Sequence, residues 1–144
     1  MIVTLVMMAV ARHFSGVNEV VTPPMHPIVE PILHGNWTVR LQLLLVAVFA
    51  AVPEEIMFRG FLYRYLRESE KTFGYIGGVV FATLVSSFVF AVIHPQGLYG
   101  IPILMSLAIV FSLAREWRGS LVPSMIAHAM VNAGTTMVLF LIAD

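Results

Sequence analysis

The chain has 144 residues, of which 59% are hydrophobic and 11% charged, and its mean hydropathy is +0.91, where a soluble domain carries about 25% charged residues. Eight Lys and Arg balance eight Asp and Glu, and Cys is absent, which excludes disulfides, thiolate metal sites and a cysteine nucleophile, and gives no basic stretch of the kind that binds nucleic acid. These features predict an all-α, polytopic transmembrane bundle with four core helices plus a short N-terminal helix.

The first ten residues are apolar but have no basic residue before them and no small-x-small cleavage site after them, so they read as a short helix rather than a signal peptide. At about 1.5 Å per residue this run does not cross a ~30 Å hydrocarbon core alone. From Arg12 to Trp37, four prolines and two glycines accompany His13, His26 and His34, and a loop is predicted. Residues 1–39 are thus read as an N-terminal segment, and 40–144 as the core.

One long helix is predicted from Arg40 to Glu68, kinked at Pro53. The second runs from Ile76 to His94 and stops at Pro95, the third from Ile101 to Ala114, and the fourth from Val122 to Ile142 with Pro123 in its first turn, where proline is tolerated. The turns around 64–71 and 115–118 carry Arg64, Arg67, Lys71, Arg115 and Arg118, while the 95–100 turn is uncharged. Both basic turns are therefore expected on the cytoplasmic side.

Three polar clusters interrupt these apolar segments: Glu54, Glu55 and Arg59; Phe90 and His94; His128 and Asn132. Ionisable side chains are costly in lipid, so each cluster is a hypothesis about a functional site. Within each cluster a pair spaced by four residues shares one helical face. The bland readings are a structural Glu55–Arg59 ion pair, His94 as a helix cap, and His128 with Asn132 as interhelical hydrogen bonding.

The sole Asp is Asp144, which removes an aspartyl dyad and a Ser-His-Asp triad built on an interior Asp. What remains is a carboxylate beside histidine, a pair able to hold and deprotonate water, with an amide bond as the natural target. Glu54 and Glu55 point about 100° apart on a helix. Glu55 can then neutralise Arg59 while Glu54 faces water as the base, and His128 and Asn132 can supply two donors to an oxyanion. Counting along the helices places His94 and His128 at different depths, so a common site requires tilted or staggered helices.

With these residues the chain resembles the CPBP family of intramembrane proteases, which includes the CAAX prenyl proteases and the Abi bacteriocin-immunity proteins. Glu54, Glu55 and Arg59, followed by Gly60, Phe61 and Leu62, resemble the first family motif. Phe90 and His94 resemble the second, and His128 and Asn132, preceded by Arg118 to Leu121, the third, over about residues 41–140. The resemblance implies a multi-pass membrane endopeptidase in which Glu54 and His94 activate water, His128 and Asn132 stabilise the oxyanion, and Glu55 and Arg59 support the site. It implies a membrane-embedded or membrane-proximal peptide substrate and a prokaryotic plasma membrane. A divalent metal, zinc, is the candidate cofactor, with Glu54, His94 and His128 as candidate ligands. The alternatives are a non-catalytic immunity or binding protein of the same family and a small ion or proton transporter subunit.

Overall fold

The computed structural model describes residues 29–68 and 70–143; the expected helix over the first ten residues, with His13 and His26, lies outside them. The described chain is helical throughout: α1 (Val29–His34), α2 (Trp37–Glu55), a π-helical stretch (Ile56–Leu62), α3 (Tyr63–Arg67), α4 (Glu70–Ile93), α5 (Gly97–Arg118) and α6 (Val122–Ala143). Four stretches, Trp37–Arg67, Lys71–Ile93, Gly97–Arg118 and Val122–Leu141, are long and apolar enough to cross a membrane. The all-α bundle with four core helices is therefore the fold.

Part of the predicted proline-rich loop is helix α1, which accommodates Pro31 at its third position, where no intrahelical N–H is required. Asn36 then caps α2, its side chain accepting a hydrogen bond from the Val39 N–H at 3.0 Å, so the long helix begins three residues before the expected Arg40. Arg40 is buried, donates from Nε to the Ile32 carbonyl at 3.1 Å and lies over the Trp37 ring, tying α1 to α2.

Pro53 has no N–H for the Phe49 carbonyl, and three residues later the helix widens into the π turn. The predicted kinked helix is thus a continuous span with a local change of pitch. In α4, Gly74 (φ 71°, ψ 174°) separates the first turn from the membrane-spanning part. Helix α5 is longer than expected at both ends. It starts at Gly97, leaving only 94–96 as the turn, and keeps Arg115 and Arg118 in its last turn, where cations complement the exposed carbonyls; left-handed Gly119 (φ 61°) then stops it.

Helix α2 packs chiefly on α6, and α4 on α5, while α5 joins the two pairs. The paired helices α4 and α5 both bury small residues, Ala82, Ser86 and Ser87 on α4 and Ala108 and Ser112 on α5, and small residues let helix backbones approach closely. The outward faces carry Phe49, Phe61, Ile76 and Leu141, all well exposed, as helices surrounded by lipid require. At the end bearing the basic turns, Glu116 accepts hydrogen bonds from Tyr63 (3.0 Å), Arg67 (3.0 and 3.3 Å), Tyr75 (3.2 Å) and Arg115 (3.2 Å). That network joins α3, α4 and α5, and it places both basic segments at the same end of the bundle.

Candidate active site

The two glutamates close α2, and the helical turn between them gives them different surroundings. Glu55 is fully buried. Its Oε1 accepts from Arg59 Nη1 at 2.9 Å and lies 2.9 Å from His128 Nδ1. The Glu54 side chain keeps 30% of its surface exposed, and its Oε2 lies 3.5 Å from His128 Nε2 and 3.8 Å from His94 Nε2. Neither distance is a direct hydrogen bond of good length, and this oxygen, buried itself, accepts none from the protein.

Arg59 is anchored at both terminal nitrogens. Its Nη2 donates to the Ala108 carbonyl at 2.9 Å, and its guanidinium lies 4.8 Å from the centre of the Phe90 ring and 5.4 Å from that of Phe111. A cation between two ring faces beside a carboxylate is compensated electrostatically in a medium that would otherwise exclude it. Phe111 also stacks on His128, with centroids 4.9 Å apart and planes 18° apart, while Phe90 meets His128 edge-on. Phe90 packs in addition on Phe58 and against the His94 ring. The second cluster's aromatic residue therefore touches the Arg59 guanidinium and both histidine rings.

Both imidazoles have their Nδ1 engaged, by the Glu55 carboxylate in His128 and by the Phe90 carbonyl at 2.6 Å in His94. With Nδ1–H donating in each, both Nε2 atoms point toward Glu54, because the hydrogen bond at one ring nitrogen fixes the role of the other.

Glu54, Glu55, Arg59, His94 and His128 are thus brought together, and the two histidines meet one carboxylate oxygen despite their unequal counts from the helix ends. The His94 side chain folds back along its helix to the carbonyl one turn earlier, the direction in which helical side chains lean, and this narrows the gap. Asn132 is placed differently. Its Nδ2 donates to the Ala47 carbonyl at 2.8 Å, tying α6 to α2, and its own carbonyl accepts from Thr136 at 2.8 Å.

Among the described residues, no group of three or more His, Cys, Asp or Glu side chains is placed to hold a metal ion, while Glu54 Oε2, the oxygen of the candidate zinc set, lies 3.5 and 3.8 Å from the two Nε2 atoms. His34 ends α1, on a different element from the site residues. Three contributors to the site gave no signal in the sequence: Phe111, one aromatic in an apolar helix, and the carbonyls of Ala108 and Ala47, which every residue possesses.

No curated protein and no solved structure matches this chain. The sequence model of the family described as type II CAAX prenyl endopeptidase Rce1-like matches residues 36–134, a stretch holding every one of the site residues above. A four-span membrane protein with these clusters in this order and this family match belongs to the Rce1-like type II CAAX prenyl endopeptidase family.

Proposed function

We propose that the chain is a membrane endopeptidase in which Glu54 and His94 activate the attacking water. The observation that carries this is the 3.8 Å separation of Glu54 Oε2 from His94 Nε2. Two acceptors at that distance can each take one hydrogen of a single water at ordinary hydrogen-bond length, leaving its oxygen lone pairs directed outward. In the reaction the water oxygen bonds to the substrate carbonyl carbon while its proton passes to Glu54. The tetrahedral intermediate then collapses with loss of the C–N bond, and the protonated Glu54 returns its proton to the leaving amine.

His128 stabilises the oxyanion through Nε2. With Nδ1–H given to Glu55, Nε2 donates in the form of the ring that carries both protons. Glu55, itself anchored by Arg59, is therefore the residue that aims His128. Asn132 acts as the second donor through the amide N–H not given to Ala47. Glu54 ends α2 and His94 follows α4, helices that pack on different partners, so the pair straddles a seam suited to a membrane-embedded or membrane-proximal peptide. The basic turns face the cytoplasm of a prokaryotic cell in this reading.

The test is cleavage of membrane-tethered peptides, with and without a prenylated C-terminal Cys-aliphatic-aliphatic-X sequence, by the full chain in proteoliposomes. Glu54→Gln and His94→Gln should each lower the rate by roughly 10² to 10⁴ while leaving thermal melting in detergent unchanged; cleavage at the parental rate in either variant sinks the assignment. Chelators should leave the rate intact. Inactivation reversed by added zinc would replace this mechanism with a metal-dependent one.

A further inference from the structure

Away from the proposed site, between the last turn of α3 and the first of α4, Arg64, Arg67, Glu68 and Lys71 line an open concavity of about 500 Å³. Three cations face one carboxylate there, a net charge of +2 if all are ionised. Counting the neighbouring Glu116 and Arg115, which engage Arg67 and each other, adds one charge of each sign, and Glu70, next in sequence to Lys71, lowers the excess to +1. Arg64 and Lys71 are exposed, and the proposed peptide hydrolysis uses neither.

The surroundings identify what would lie against this charge. Phe61 and Tyr65 on one side and Phe73, Tyr75 and Ile76 on the other are all well exposed. They are apolar and aromatic residues at the ends of the two spans that this segment joins. Aromatic rings level with the ends of spans mark the headgroup region of a bilayer, and Lys and Arg at that level attract anionic lipid. A soluble anion would need the charge alone; a phospholipid uses the charge and the adjoining apolar surface together.

We propose that this concavity binds the phosphate headgroup of an anionic phospholipid, with Arg64 and Lys71 as its principal contacts and the lipid chains lying along Phe61, Tyr65 and Ile76. Binding here would hold together the junction of α3 and α4, one end of the same continuous helix that carries Glu54 and Glu55. The proposal does not depend on the catalytic reading, because it is read from lipid retention.

The experiment is native mass spectrometry of the full chain in detergent, offered phosphatidylglycerol and phosphatidylcholine with identical chains. The parent protein should retain one phosphatidylglycerol about tenfold more tightly than phosphatidylcholine. The variant carrying Arg64→Gln and Lys71→Gln should reduce that preference to about twofold or less, and Arg118→Gln, at the same end but outside the concavity, should leave it in place. Equal retention of the two lipids by the parent, an unchanged preference in the double variant, or an equal loss in Arg118→Gln overturns the proposal. So does displacement of the bound lipid by millimolar inorganic phosphate, which would identify a site for the free ion. If the double variant melts at a lower temperature than the parent, Lys71→Gln alone together with the parent's lipid ratio gives the decision.

Discussion

Glu55 carries more of the structure than its exposed neighbour does, because a fully buried carboxylate must be matched where it sits. Its Oε1 serves Arg59 and His128 at once, so removing Arg59 strands a charge in a medium that solvates it poorly. Arg59→Leu should lower stability by about 3–5 kcal/mol, measured by unfolding in mixed micelles, as expected when one member of a buried pair is lost. Replacing both members, Glu55→Leu with Arg59→Leu, should cost clearly less, because no unpaired charge remains. The double variant should still be inactive if Glu55 orients His128, and recovery of cleavage there would remove that positioning role. The i,i+4 spacing of this pair is visible in the sequence, and so is the separation of Glu54 from Glu55 around the helix. The partner of Asn132 is not visible, since any carbonyl of α2 can accept from an amide and only the packing of α6 selects Ala47.

Proline and glycine set the shapes of the individual helices. Pro53 lies just before the π stretch that follows the two glutamates, and π turns inside α-helices are frequent at functional sites. Gly74 and Gly134 make a controlled comparison, because a Cβ added at either meets no atom within 4 Å. Gly74 has φ 71°, a conformation that L residues adopt at a cost of order 1–3 kcal/mol, whereas Gly134 is helical. Gly74→Ala should therefore destabilise by about that amount, while Gly134→Ala should stabilise by up to about 1 kcal/mol; melting temperatures in one detergent compare the two directly. The same reasoning separates what could be read in advance at this scale. Hydropathy locates the helices because lipid demands it, but their ends depend on caps. Asn36 and Gly119 extend α2 and α5 beyond the apolar runs, and a six-residue helix forms in a proline-rich segment whose Pro31 occupies a harmless position.

Across the whole molecule the basic segments share one end, joined by Arg67 and Arg115 on Glu116, and the positive-inside rule is the ground on which we propose that this end is cytoplasmic. Because the chain has no Cys, single substitutions report sidedness on a clean background. Ser120→Cys should react with an impermeant maleimide only after the cytoplasmic face is opened, and Leu98→Cys should react from outside; the reverse pattern would invert the assignment. The number of spans, their apolar faces and the three polar clusters follow from the sequence, because the cost of polar groups in lipid and the 3.6-residue period act on neighbours along the chain. The meeting of His94 and His128 at one oxygen of Glu54, the aromatic enclosure of Arg59 and the bond from Asn132 to Ala47 were decided by tertiary structure. Each depends on how far one helix tilts or slides against another, which packing between segments distant in sequence decides, and on a side chain folding back on its own helix.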